Sequence, residues 1–142
     1  MQIISIHIKP VKKMKAEEKQ EIDLIKDFGP EGDAYGGPGE RQITLLGFDD
    51  KKILEKDREK GICIKRFVPN LTISGSSKEL IKGKRYSLGD CEIQISNESK
   101  KCHEGCPLRE EENRICLLPS TARFASIIKS GHVSIKNEIQ EI

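Results

Sequence analysis

No stretch of this 142-residue chain approaches the run of about 18 apolar residues that a membrane-spanning helix requires. The first nine residues alternate apolar and polar and only then turn basic, the reverse of a signal peptide's order. A cytoplasmic protein with no membrane association is therefore expected. Charge of one sign is also lacking: 25 Lys and Arg face 23 Asp and Glu, a formal net charge of +2. A dedicated nucleic-acid binder usually carries a strong basic excess, so no nucleic-acid partner is expected. No Ser, His and Asp arrangement and no pair of catalytic carboxylates stands out. The glycine-rich segment Gly36-Gly37-Pro38-Gly39 lacks the Gly-Lys-Ser/Thr ending of a nucleotide P-loop, and it precedes a strand rather than a helix. Its backbone N–H groups can still approach an anion, and Arg41 just after it can hold a phosphate with two parallel bonds. A surface ion pair is the plainer role for that arginine.

What is present is a great deal of isoleucine. The chain has 20 Ile, 10 Leu, 3 Val and 4 Phe, enough apolar mass to bury a core without metal or disulfide staples. Isoleucine at twice the level of leucine favours strands. Gln2 to Ile8 alternates, which predicts a strand with Ile4, Ile6 and Ile8 on one face. Strands are also predicted at Glu21 to Lys26, Gln42 to Leu46, within Gly61 to Ser74, on both sides of Gly83 between Leu80 and Asp90, at Cys91 to Ser96, and at Val133 to Ile139. Lys12 to Gln20 reads as loop or short helix, and the segment from Gly29 to Gly39 as loop. Short helices are predicted over Asp49 to Glu59, with Asp49 as N-cap, and over Pro119 to Ser130, with Gly131 as the stop. Glu104 to Arg114 is polar and either helical or irregular. The pattern predicts one mainly β domain over residues 1–142, a β-barrel of short strands with a few short helices.

Five cysteines stand at positions 63, 91, 102, 106 and 116. In a reducing cytosol such thiols are catalytic, metal-ligating or merely buried more often than disulfide-bonded. Cys63 and Cys91 lie in apolar strand patterns and read as core. Cys102 is flanked by Lys100, Lys101 and His103, and positive neighbours lower a thiol's pKa toward the nucleophilic, soft-ligand thiolate. Cys102, His103, Cys106 and Cys116 also offer four zinc ligands. However, structural zinc sites favour paired Cys-x2-Cys knuckles, and consecutive residues on a strand face opposite sides. A Cys102–Cys106 disulfide and a plain buried role stay open. His7 and His132 are isolated and read as ordinary strand or loop residues.

Ordered segments then become recognisable. Gly32-Asp33-Ala34-Tyr35-Gly36-Gly37, followed by Arg41-Gln42-Ile43-Thr44-Leu45-Leu46, Phe67-Val68-Pro69-Asn70-Leu71-Thr72, Tyr86-Ser87-Leu88-Gly89-Asp90, Lys101-Cys102-His103-Glu104-Gly105-Cys106 and Arg123-Phe124-Ala125 occur in this order. Together they resemble the MOSC family, named after the C-terminal domain of molybdenum-cofactor sulfurases. The resemblance covers roughly Asp33 to Lys136. There are departures. Tyr35 and Glu40 stand where the family has histidines, Pro69 where it has glutamate, Ser130 in its closing Gly-Gly, and Lys136-Asn137 in its closing Gly-Asp.

The resemblance implies a β-barrel fold and binding or handling of the molybdenum cofactor (molybdopterin), a pterin phosphate whose dithiolene holds the metal. Cys102 matches the family's molybdenum-ligating cysteine, so the resemblance makes it both the catalytic and the metal position. Arg41, Arg66, Lys100 and Lys101 become candidates for the anionic phosphate, and Asn70 and His103 join the cofactor-binding positions. Implied partners are molybdenum-cofactor biosynthesis proteins or a cysteine desulfurase, and a reductase where the activity is a reduction. An alternative is a persulfide carrier in which Cys102 takes sulfane sulfur and Cys106 releases it. A non-catalytic binding module is the third reading.

Overall fold

The computed structural model describes residues 1–57, 67–100 and 118–142. Their strands are β1 (Ile3–Ile8), β2 (Glu17–Lys19), β3 (Glu21–Ile25), β4 (Gly29–Pro30), β5 (Ile43–Gly47), β6 (Leu71–Ile73), β7 (Arg85–Leu88), β8 (Cys91–Ile95), β9 (Arg123–Lys129), β10 (Gly131–Ser134) and β11 (Ile139–Glu141). The described helices are α1 (Phe48–Leu54) and α2 (Leu118–Thr121), with 3-10 turns at Glu55–Asp57 and Ser77–Glu79.

Eight strands form one sheet in the order β11-β7-β8-β9-β5-β6-β1-β2, and β10-β3-β4 form a small second sheet. The large sheet curls until its edges meet. Ile139 donates its N–H to the Met1 carbonyl at 2.8 Å, Ile3 to Asn137 at 3.0 Å, and Lys136 to Ile3 at 2.8 Å. Gln2 and Glu138 bridge beside them. The barrel predicted from strand periodicity is thus the architecture found. Its inside is filled by Ile3, Ile6, Ile43, Leu45, Leu71, Ile73, Leu88, Ile93, Ile95, Ala125 and Ile127, all buried. β5 is buried on both sides: Ile43 and Leu45 point into the barrel, while Leu46 packs outside it with Leu54, Leu118, Ala122 and Phe67. β5 and β6 run parallel, so the chain between them must cross over, and α1 begins that crossover. β7 and β8 are joined by Gly89 and Asp90 alone. Gly89 holds φ at +55°, and a Cβ there would lie 2.8 Å from the His132 carbonyl oxygen.

Several sequence expectations change. Ile3, not Ile4, is the buried partner of Ile6 and Ile8: Ile3 is 1% exposed and Ile4 43%. The cause is a β-bulge, since Ile3 pairs with Ile73 and Ser5 with the adjacent Thr72, leaving Ile4 as the extra residue. The segment from Pro119 to Ser130 is no helix beyond Thr121. It is the strand β9, paired with β5 and β8, whose two covered faces make its apolar residues look helical. α1 starts at Phe48, with Gly47 as N-cap and no side-chain cap. Asp50, instead of Asp49, holds this corner: its carboxylate accepts the Ser77 N–H at 2.7 Å and the Ser76 hydroxyl at 3.2 Å. Residues Leu80 to Lys84 form a turn, not a strand, and Glu17–Lys19 is a strand within the segment expected as loop or short helix. The predicted strand signal at 61–66 and the polar segment 104–114 lie outside the described residues.

On the small sheet His132 pairs with Asp23, its Nδ1 2.7 Å from Asp23 Oδ1 and its Nε2 3.7 Å from Glu21 Oε1. The hydrogen bond to Asp23, aided by the Glu21 charge, raises the imidazole pKa above its ordinary 6.5. The folded state therefore binds this proton more tightly than the unfolded state. The stabilisation is complete below the unfolded value near 6.5 and fades as pH rises through the raised folded value. Thermal melts of His132→Gln are expected to lose this fall in stability above about pH 6.5, while the parent keeps it. A His132→Gln melt with the same pH dependence as the parent would show the pairing contributes nothing. For the bulge, Ile3→Ala is expected to cost roughly 2–5 kcal/mol in chemical unfolding. Ile4→Ala should stay within about 0.5 kcal/mol; equal losses would contradict the register.

Candidate functional site

Register brings distant positions into one line. Ile6 pairs with Leu71, and Leu45 also pairs with Leu71, so the residue just before β6, Asn70, falls between His7 and Thr44. Thr44 pairs with Phe124 on the other side of β5, and His7 with Glu18 on β2. The row Glu18, His7, Asn70, Thr44, Phe124 therefore crosses the outside of the barrel. Its members alternate with the inward Ile6, Ile8, Ile43, Leu45 and Ala125.

Asn70 is the knot of this row. Its Oδ1 accepts the Thr44 N–H at 2.9 Å and the Thr44 hydroxyl at 3.1 Å. Its Nδ2 donates to the His7 carbonyl at 3.1 Å and to Asp33 Oδ2 at 3.3 Å. Its own N–H donates to Thr44 Oγ1 at 2.8 Å, and its carbonyl accepts the His7 N–H at 2.8 Å. Asp33 is buried and also accepts the Lys9 N–H at 3.2 Å. One side chain thus ties β1, β5, the start of β6 and the loop after β4. With both amide hydrogens and the carbonyl oxygen engaged, Asn70 positions its neighbours.

Above the row lies a cleft of about 500 Å³ lined by His7, Lys9, Asp33, Tyr35, Arg41, Thr44, Phe67, Asn70, Lys100 and Phe124, among others. Its cations lie against aromatic faces. The Arg41 guanidinium stacks 4.7 Å from the Phe124 ring centre, and Lys100 Nζ sits 5.2 Å from that of Phe67. Each such contact contributes about 0.5–1 kcal/mol at an exposed site and fixes the cation's place. Arg41 Nε also donates to the Glu98 carboxylate, and Nη2 to the Ser99 carbonyl at 3.5 Å. Tyr35 forms part of the rim: its hydroxyl accepts the Lys13 N–H at 3.0 Å, and Lys12 Nζ lies 5.8 Å from its ring centre.

Three of the residues singled out from sequence, Arg41, Asn70 and Lys100, line this cleft. Arg66, Lys101, Cys102 and His103 lie outside the described residues, as do Cys63, Cys106 and Cys116. Cys91 is buried in the barrel, and burial pushes its thiol pKa up to about 11, so it is an inert core residue as expected. His7 was read as an ordinary strand residue, yet it lines the cleft. Burial lowers its imidazole pKa; the Glu18 charge opposes this and the Lys51 charge adds to it. Its Nδ1 is buried, with no hydrogen-bond partner among the described residues. The signal was its outward phase between Ile6 and Ile8, but the sequence does not show which strands flank it. Among the described residues no three His, Cys, Asp or Glu side chains converge as metal ligands, and no helix is long and apolar enough to cross a membrane.

No family model and no curated protein matches the chain. Solved structures do. YuaD from Bacillus subtilis matches with a TM-score of 0.71 at 14% identity, over 97% of this chain and 93% of that one. YiiM from Escherichia coli matches with a TM-score of 0.62 at 19% identity, over 100% of this chain and 70% of that one. YiiM and YuaD are MOSC-domain proteins. The fold is MOSC-like. A structure described as a hypothetical protein also matches, with a TM-score of 0.68 at 20% identity over 99% of this chain, which spans 66% of its length. Identities this low establish the MOSC-like fold and nothing finer.

Asn70→Ala would leave Oδ2 of the buried Asp33 and the Thr44 N–H without the partner Asn70 gives them. A loss of roughly 2–4 kcal/mol in chemical unfolding is expected, the sum of two unsatisfied buried groups. A change below about 1 kcal/mol would show that the row holds without its knot.

Proposed function

We propose that this chain is a molybdenum-cofactor-binding or cofactor-handling protein that uses the cleft for the pterin phosphate and Cys102 as the metal or sulfur ligand. The observation that carries the reading is the cleft itself. It sets two cations on aromatic faces beside a half-buried histidine, and one of those cations, Lys100, stands two residues before Cys102 in the sequence. The residues suit such a ligand. A volume of about 500 Å³ falls within the range of small-molecule sites, about 300–1,000 Å³. Arg41 and Lys100 offer charge to a phosphate. Phe124 and Phe67 offer flat faces, and the orphaned His7 ring offers a polar group. Arg66, Lys101 and His103 are proposed to add to this set from the neighbouring sequence.

When bound, the cofactor supplies a redox-active metal held by dithiolene sulfurs. The chain supplies the rest: Arg41 and Lys100 fix the anionic end, Thr44 and Asn70 hold the floor rigid, and the Cys102 thiolate is a soft donor. Molybdenum-cofactor biosynthesis proteins or a desulfurase are proposed to load it, and a reductase partner supplies electrons if the activity is a reduction.

Expression in a cofactor-producing host should yield protein carrying molybdenum and pterin. Cys102→Ala is expected to lose the metal, and Arg41→Ala to lower pterin content several-fold. Wild type with no more cofactor than Cys102→Ala would overturn the reading. Intact-mass analysis after incubation with a desulfurase and cysteine would then show whether Cys102 carries sulfane sulfur instead.

A further inference from the structure

The orphaned ring nitrogen of His7 has a consequence for what the cleft can bind. Among the described residues Nδ1 has no hydrogen-bond partner and is buried, while the residue as a whole is half-buried and lines the cleft. The open part of the ring is then the edge carrying Nε2. A proton on Nδ1 would be a buried N–H with nothing to receive it, which proteins tolerate less readily than an unused lone pair. An imidazolium would add an unpaired charge to that cost. Burial is the largest effect on the ring; the Glu18 carboxylate opposes it and the Lys51 charge adds to it. The ring's single proton therefore belongs on Nε2. Asn70 holds the His7 backbone at both its N–H and its carbonyl, through bonds of 2.8 and 3.1 Å, which fixes the residue's place in the row.

We propose that His7 is a binding residue of the cleft, a neutral Nε2–H donor to an anionic oxygen of the ligand, of phosphate or carboxylate type, in the same cleft that Arg41 lines. A neutral donor beside a cation discriminates: it strengthens binding of an oxyanion without adding the charge that would hold any anion indiscriminately. This rests on the cleft being the ligand site but not on the ligand being a molybdenum cofactor. It names a residue that neither the sequence motifs nor the fold comparison picks out.

The test uses the full chain labelled with 15N. Long-range imidazole spectra at pH 7 should show His7 in its neutral form with the proton on Nε2. Titration with inorganic phosphate should move the His7 Nε2 signal and leave His132 unmoved. His7→Phe is expected to weaken phosphate binding at least about tenfold, the factor of a hydrogen bond to a charged group. His7→Gln, which keeps an N–H donor, should stay within a few-fold of wild type. An Nδ1–H tautomer, an imidazolium at pH 7, or unchanged binding by His7→Phe would overturn the proposal. If His7→Phe does not fold, the wild-type tautomer and the His7→Gln titration decide. A chain that shows the tautomer and binds phosphate but never loads molybdenum would retain this inference and lose the cofactor reading. One that loads cofactor equally well as His7→Phe would do the opposite.

Discussion

The hydrogen bonds of Asn70 are the constraint on which the site depends. Strand pairing alone sets β1, β6 and β5 side by side, but β6 is three residues long and carries little pairing of its own. Asn70 stands immediately before it and reaches both neighbours through backbone and side chain together. Buried amide groups that are fully paired fix one arrangement, because any slip strands them unpaired at a cost comparable to the whole bond. The same groups clamp the buried Asp33 and thereby the loop that carries Tyr35. The floor and one wall of the cleft are in this sense a single polar network.

The barrel's filling decides where a ligand can go. A small barrel has an interior just wide enough for side chains. Here isoleucines and leucines occupy it. Chemistry is therefore confined to the outer face and the connections above it. The outward His7, Thr44 and Phe124, and not the inward Ile6, Ile8, Ile43, Leu45 and Ala125, accordingly carry the polar and aromatic groups of the row. β5 is apolar on both sides because α1 and α2 cover its outer end at Leu46, while Thr44, two residues earlier, faces the cleft.

Much of this was legible in the sequence, and the failures have physical causes. Alternation found β8 and the extent of β1 because each has one polar and one apolar face. It assigned the wrong face to the start of β1, because a single bulged residue at Ile4 inverts the phase and leaves no compositional mark. It read β9 as helix because a strand covered on both sides loses its alternation, and the run Arg123-Phe124-Ala125-Ser126-Ile127-Ile128 then fits either period. In the site, Arg41 and Asn70 could be singled out by their neighbours in sequence. His7, Thr44 and Phe124 could not be brought together, since their proximity is a property of strand order, and strand order is non-local.

Electrostatics completes the argument from the same geometry. A net charge of +2 over 142 residues leaves no general attraction for anions. Selectivity must come from placing a few cations where their field is least screened. Arg41 and Lys100 are held against Phe124 and Phe67, with ring faces in place of water on one side of each charge. Arg41 already has a carboxylate partner in Glu98, exposed on the rim, and an exposed ion pair of this kind is worth at most about 1 kcal/mol. An arriving oxyanion can therefore compete for the guanidinium at small cost. Asp33, a carboxylate lining the cleft, is taken up by Asn70 and the Lys9 N–H and so repels a bound anion less than an unpaired carboxylate would. The hydrogen-bond network that sets the register thus also moderates the charge facing the ligand.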